Sequence, residues 1–231
     1  MKRILLPLVL LSVGLRAHGA DLYVDAAAAS GGDGSQAAPF ATIKAAVDAA
    51  NLLSGDPTTV HVASGTYAIT SASDFATVSV PDLTIAAADP SQKPVVALDA
   101  NLSVAANNPV VFTVPTGSDR FEVDNIAFTY SYAGSKNVAG NSFGQSGKLF
   151  SLAAVDCIID GCEFVQTGTT GKDWGDGGLV FTTDRGKAAR LVVRNCRFDH
   201  VGAGSFQPIK LPNDAQIVGN VYDSCSGYFR P

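Results

Sequence analysis

An eight-residue pattern recurs four times in the second half of this chain and restricts its fold more than any other feature: Phe121 to Phe128, Cys157 to Phe164, Leu191 to Phe198 and Ala215 to Tyr222. Each copy reads apolar, any, apolar, any, Asn or Gly, apolar or Asn, any, aromatic. The first three positions alternate as a strand does. The Asn or Gly position takes the tight bend that interrupts the alternation, and the last residues resume it. One copy is therefore strand, corner, strand. The aromatic ends lie 36, 34 and 24 residues apart, a spacing that marks stacked units, with the unequal lengths taken up by insertions at corners.

Superimposed, the copies give four columns: Phe121/Cys157/Leu191/Ala215, Val123/Ile159/Val193/Ile217, Ile126/Cys162/Cys196/Asn220 and Phe128/Phe164/Phe198/Tyr222. Only Asn220 among them is frankly polar. A lone unit cannot bury such a face, but parallel units about 4.8 Å apart bury it as continuous apolar ladders. The expected fold is an all-β solenoid. The rung Val192 to Phe198, of the form V-x-x-N-C-x-F, resembles the right-handed parallel β-helix of the pectate-lyase-like superfamily.

The 231 residues, 46% hydrophobic and 16% charged, describe one folded domain with ample core. A net charge of −5 with no basic run argues against a nucleic-acid partner. Residues 1–20 read as a secretory signal: Lys2 and Arg3, an apolar run from Ile4 to Leu15, and a cleavage point after Gly19 or Ala20. That run is too short to span a membrane, and no later stretch qualifies. The four remaining cysteines, Cys157, Cys162, Cys196 and Cys225, match no metal spacing. Cys162 and Cys196 share a column on adjacent rungs, where a disulfide is reachable, but small buried thiols in a ladder are the expectation.

Three segments divide the exported domain, 21–231. From about 21 to 70, a short opening strand at Asp21–Asp25 precedes a helical pattern of Ile43, Ala46, Val47 and Ala50, with Thr42 placed as N-cap and Phe40 as a staple. A helix of about three turns is expected, then a strand at Thr59–Ala63 with His61 pointing outward. This series resembles the N-terminal cap of secreted bacterial β-helix proteins, where an amphipathic helix covers the first rung. From about 71 to 119 the rungs are irregular, with strands at Ala76–Val80, Leu83–Ile85, Pro94–Leu98 and Val110–Val114. From 120 onward a third strand precedes each motif: Leu149–Leu152, Leu179–Thr182 and Pro208–Leu211. If Phe150, Val180 and Ile209 face inward, then Ser151, Phe181 and Lys210 form the outward column. The repeat runs almost to Pro231. An uncovered last rung offers a surface for self-association, or the chain belongs to a longer protein.

Charged outward positions also stack: Asp124 over Asp160 over Arg194, and Glu163 over Arg197. Ion pairs on a solvated face are the default reading. A Ca²⁺ ion would use the same oxygens, at Asp124 and Asp160 or at Asp199 and Asp223, although two aspartates supply fewer than the six or more oxygens it takes. His200 follows Asp199 at a corner, and Trp174 and Phe181 can offer flat faces to sugar rings. Asp173 and Asp176 sit in the long polar loop 168–178, of the kind that mounts binding groups beside a rigid sheet.

Superfamily members that cleave acidic polysaccharides use a Lys or Arg base beside a neutralised uronate carboxylate. The resemblance therefore implies Lys210 as base, with Arg185 in the turn after the neighbouring strand. The stretch from Pro208 to Arg230 is similar to a region of chondroitinase-B and alginate-lyase type β-helices, which implies Arg230 as the carboxylate-side cation. Leu211 stands where those families carry serine, and only Pro231 follows Arg230. Two functions remain open from sequence: a secreted β-helix that binds or cleaves an extracellular, acidic polysaccharide as a lyase, and a non-catalytic surface or adhesion module.

Overall fold

The structure is a computed structural model, and it describes residues 19–53, 57–99, 103–104, 110–131, 141–142, 148–167, 179–183, 189–201 and 214–225. Strands are numbered in chain order. The first sheet holds β1 (Ala20–Val24), β2 (Thr58–Val62), β5 (Leu83–Ala87), β9 (Glu122–Asp124), β13 (Ile158–Asp160), β16 (Val192–Arg194) and β18 (Gln216–Val218), adjacent in that order. The second runs β3 (Thr66–Ile69), β6 (Val95–Leu98), β10 (Ala127–Ser131), β14 (Glu163–Thr167), β17 (Arg197–Asp199) and β19 (Val221–Asp223). The third runs β4 (Ala76–Thr77), β8 (Val110–Val114), β12 (Lys148–Leu152) and β15 (Leu179–Thr183). Every pairing within these three sheets is parallel, whereas β7 (Ser103–Val104) pairs antiparallel with β11 (Asn141–Ser142). From β2 onward consecutive strands visit different sheets, and each sheet collects strands from successive turns of the chain. That is a parallel β-helix.

The repeat columns are observed as drawn. Val123, Ile159, Val193 and Ile217 pair in register across the first sheet. Phe128, Phe164, Phe198 and Tyr222 do so across the second. Their rings stack at centroid distances of 5.4, 4.9 and 5.0 Å with interplanar angles of 7°, 17° and 10°. Phe112 and Phe150, from the third sheet, stack on each other at 5.4 Å and meet this column edge-on, Phe150 to Phe128 at 5.3 Å. Ring pairs of these geometries add about 0.5–1.5 kcal/mol each beyond area burial.

Corner geometry explains the Asn/Gly position. Asn125, Gly161, Asn195 and Gly219 have φ of 56°, 60°, 55° and 67°, the left-handed region that Gly and Asn occupy most readily. Asn and Gly alternate because the Asn amide leans over the next rung: a Cβ at Gly161 would lie 2.6 Å from Asn125 Oδ1. The corner before each first-sheet strand carries a second ladder, Asp82, Arg120, Asp156 and Arg190, again at positive φ and alternating in charge. Arg120 and Arg190 each hold an aspartate through two nitrogens, with Nη2 at 2.6 Å from Asp82 Oδ2 and from Asp156 Oδ2.

The helix α1 spans Ile43–Ala50, shorter than the three turns expected. Thr42 Oγ1 accepts the Ala45 N–H at 3.1 Å, as an N-cap does. Asn51 ends the helix by turning its side chain onto the backbone beyond β4, donating to the Thr77 carbonyl and accepting the Ser79 N–H, both at 2.7 Å. The buried face of Ile43, Ala46, Val47 and Ala50 joins the core, and α1 packs on β1, β2 and β4. Among the described residues no helix is long and apolar enough to cross a membrane.

Two expectations are corrected. In the third sheet Phe181 pairs opposite Phe150, and Thr182 opposite Ser151, so Phe181 does not share a column with Ser151. The register repeats that of the preceding pair, in which Phe150 lies opposite Phe112. And although Glu163 does lie over Arg197, its ion pair is with Lys93 at 2.9 Å. The residues 1–18 expected as a signal, and the strand expected at Pro208–Leu211, lie outside the described residues.

Two substitutions test this packing. Gly161→Ala should lower unfolding free energy by at least about 1–2 kcal/mol, the left-handed penalty alone, in chemical denaturation. Among the described residues the buried Tyr130 hydroxyl has no hydrogen-bond partner, so Tyr130→Phe should leave stability unchanged or raise it, because an unpaired buried polar group is removed.

Candidate functional site

Lys210, Arg230, Arg185, Trp174, Asp173 and Asp176 lie outside the described residues. Phe181 is described only as a strand position. The remaining three candidates come together at the end of the second sheet. Asp199 and Asp223 are register partners, and Arg197 reaches both, Nη2 at 2.9 Å from Asp199 and 3.4 Å from Asp223. His200, at φ 53°, turns its Nδ1 onto Asp199 Oδ1. The cation between these two aspartates is thus a guanidinium. Among the described residues no group of three or more His, Cys, Asp or Glu is arranged to hold a metal ion.

A different set of groups converges on the outer face of the first sheet. Because side chains alternate, each strand there contributes two outward residues. Register places them in two ranks along the solenoid axis. One rank runs Asp21, Thr59, Thr84, Glu122, Ile158, Val192; the other runs Tyr23, His61, Ala86, Asp124, Asp160, Arg194. At one end the His61 ring stacks on Tyr23 at 5.0 Å and its Nε2 meets Asp21 Oδ1 at 2.7 Å, an outward histidine already partnered. Thr84 and Ala86 form a low floor. Beyond them stand Glu122 and Asp124, partly buried, then Asp160 with Arg194.

These carboxylates differ in what holds them. Asp160 is tied by Arg194 Nε at 2.7 Å and Asn195 Nδ2 at 2.9 Å. Asp124 accepts a bond from Asn125 Nδ2 at 2.9 Å. Even so, burial raises its proton affinity, and the Asp160 charge adds to this against Asn125, Arg194 and Lys93. Burial likewise raises Glu122, helped by Asp124 and Asp160 and opposed by Arg194, and no hydrogen bond stabilises its anion. A carboxyl whose proton affinity burial raises is a better match for proton transfer than a free one, since it can donate its proton and its anion can take one back. Glu122 and Asp124 are therefore the acid–base candidates of this face, with Asp160 and Arg194 setting the local field.

Other nucleophiles and bases are committed elsewhere. Cys157, Cys162, Cys196 and Cys225 are free thiols, as the ladder reading expects for Cys162 and Cys196. Burial pushes the Cys157 thiol up to about 12 and holds Cys162 well above its ordinary range, so neither supplies a thiolate. Each Lys and Arg whose side chain is described is ion-paired: Lys44, Lys93, Arg120, Arg190, Arg194 and Arg197. The sequence reading noted Asp124, Asp160 and Arg194 as a stack but passed over Glu122. Its signal was the spacing to Asp124, two residues apart on one strand and hence on one face.

Fold and face together define a parallel β-helix with an acid–base strip along one outer sheet. No protein-family model matches the chain, and no curated protein matches it. Among solved structures it is similar to one titled "Rhamnogalacturonan lyase", with a TM-score of 0.51 and 13% sequence identity over 91% of this chain. The match spans 52% of that longer protein, and at this identity the likeness is one of fold. It agrees with the β-helix fold expected from the repeat.

The raised carboxyls have a thermodynamic signature. A carboxyl whose folded affinity for protons exceeds its unfolded one stabilises the fold below the unfolded pKa of about 4, and that contribution is lost as pH rises through the folded value. Glu122→Gln and Asp124→Asn should therefore become more stable relative to the parent as pH rises from 4 to 7. Urea denaturation at both pH values measures the difference.

Proposed function

We propose that this chain is an exported β-helix protein that binds and processes a carbohydrate polymer along the outer face of its first sheet. Export rests on the basic start, the short apolar run and the Ala-His-Gly-Ala ending of residues 1–20. The observation that carries the processing step is the Glu122/Asp124 pair. Residues i and i+2 of a strand have Cα atoms about 6.6 Å apart and side chains on one face, which presents both carboxyls to the same side of a bound polymer, as a general acid and a general base flanking one glycosidic bond require. The carboxyl of higher proton affinity would protonate the leaving oxygen, and the other would activate the water. The Tyr23–His61 stack two rungs away would offer a flat face to a neighbouring sugar.

A second reading, β-elimination on a uronate chain, is favoured by the name of the structural neighbour and by the likeness of the stretch ending at Arg230. Its base would be Lys210, with Arg230 and Arg185 as carboxylate-side cations. Trp174, Asp173, Asp176 and His200 would line the groove. In this reading the elimination base comes from outside the first-sheet strip, whose outward charged residues Glu122, Asp124, Asp160 and Arg194 include no lysine.

Incubation with neutral glycans, pectate, alginate and chondroitin separates the readings. Carboxylate chemistry adds water across the bond and gives shortened chains with saturated non-reducing ends, formed about 100-fold or more slowly in Glu122→Gln or Asp124→Asn. Elimination gives unsaturated ends, survives Glu122→Gln and is abolished by Lys210→Ala. Binding without shortening identifies an adhesion module instead. Neither binding nor shortening of any polymer overturns the carbohydrate reading.

A further inference from the structure

Among the described residues β18 and β19 are the edge strands of the first and second sheets, and they join at the corner Gly219–Asn220. The outward positions on either side of this corner form two ranks along the solenoid. One runs Asp124, Asp160, Arg194, Val218; the other runs Ala127, Glu163, Arg197, Val221. Each of the three preceding turns carries at least one charge at this pair of positions. The edge turn carries two valines, 58% and 60% exposed. Charges on a sheet edge discourage pairing with other strands, and here the edge lacks them at its centre. Tyr222, which extends the buried Phe128, Phe164, Phe198 column, is 38% exposed, and Ile217 is half-buried where Val193 and Ile159 are fully buried.

This edge is complementary to itself. Read outward from the corner in both directions, Val218 matches Val221, Ile217 matches Tyr222 and Gln216 matches Asp223: an outward apolar pair, an inward apolar pair and an outward polar pair. A two-fold axis through the corner lays β18 of one copy antiparallel to β19 of a second and sets these residues opposite one another. Backbone direction gives the same register. Gln216 N donates to the Leu191 carbonyl at 2.8 Å and Val221 N to the Cys196 carbonyl at 2.8 Å, while the Val218 and Asp223 carbonyls accept from Asn195 N at 3.1 Å and His200 N at 2.9 Å. These four residues turn their backbone groups to the preceding turn, so by alternation Ile217 and Tyr222 turn theirs to the other side. Antiparallel strands exchange two hydrogen bonds between opposed residues of that kind, and here the opposed residues are Ile217 of one copy and Tyr222 of the other. A two-fold axis centred on either strand would instead set Gln216 against Val218, or Val221 against Asp223, polar against apolar.

We propose that this edge binds a second copy of the chain, as a two-fold dimer in which β18 and β19 of one copy pair with β19 and β18 of the other. Charge agrees: Asp223, whose carboxylate Arg197 approaches at 3.4 Å, faces the Gln216 amide of the second copy, and no like charges are opposed between Gln216 and Asp223. Such a contact uses the same patch on both copies and closes at two. It lies at one end of the solenoid, apart from Glu122 and Asp124, and stands whether or not those carboxyls cleave anything.

Sedimentation velocity on the full chain over about three decades of concentration tests it. A monomer that converts to a dimer, with no larger species, is expected. The double variant Val218→Lys, Val221→Lys opposes like charges across both strand pairs and should weaken dimerisation about 10-fold or more. Val218→Lys with Val221→Glu opposes unlike charges in this register alone and should restore dimerisation to within about 3-fold of the parent. Both variants should fold, because the preceding turns carry Arg194 with Arg197 and Asp160 with Glu163 at the same positions, and circular dichroism checks this. The proposal is overturned by a chain that stays monomeric throughout, as it would if another segment of the same chain covered the edge. It is also overturned by dimers indifferent to the two-lysine variant, by failure of the lysine–glutamate variant to restore them, or by growth past the dimer.

Discussion

Every other feature of this molecule depends on the in-register backbone ladder between successive turns. When the N–H of one rung bonds the carbonyl of the next, as Ile158 to Phe121, Val192 to Cys157 and Gln216 to Leu191 do at 2.8–2.9 Å, equivalent residues sit about 4.8 Å apart. Like must then lie over like. For an aromatic residue this is favourable, and Phe128, Phe164, Phe198 and Tyr222 form one continuous stack. For a charged residue it is costly, because identical charges at that distance repel.

Both corner ladders are answers to that constraint. Asp82, Arg120, Asp156 and Arg190 alternate in sign, so each carboxylate lies beside a guanidinium, and the arginine bonds hold Asp82 and Asp156 below the ordinary carboxylate range. Asn125 and Asn195 alternate with Gly161 and Gly219, so each amide finds room where the next rung has no Cβ. At Asn220 the same logic admits a polar residue to the interior column. Its side chain accepts the Cys196 N–H at 2.8 Å and donates to the Val193 carbonyl at 2.9 Å, replacing buried methyl groups with satisfied hydrogen bonds.

Where the ladder stacks like charges without alternation, chemistry becomes available. Asp124 lies over Asp160 and beside Glu122, and a single arginine, Arg194, serves the group. Burial first, and the neighbouring carboxylate charges second, lift the proton affinity of Glu122 and Asp124. The apolar ladder thus positions the strip as a by-product of its own regularity: a flat sheet with two outward residues per rung, aromatic at one end and acidic at the other.

The repeat columns, the corner residues, the N-cap at Thr42 and the stacking of Asp124, Asp160 and Arg194 were all legible in the sequence, because periodicity of period two and a repeat of fixed motif determine which residues share a face and which lie over one another. Three things were decided only by the tertiary structure. The register of the third sheet, which pairs Phe181 with Phe150, depends on how insertions of unequal length bring a strand back to its neighbour. The partner of Glu163 proved to be Lys93, seventy residues away, because a long side chain reaches across rungs that no local pattern connects. And the burial that distinguishes Glu122 and Asp124 from any other surface carboxylates arises from what neighbouring turns exclude from water, a property of the assembled surface that residue order does not contain.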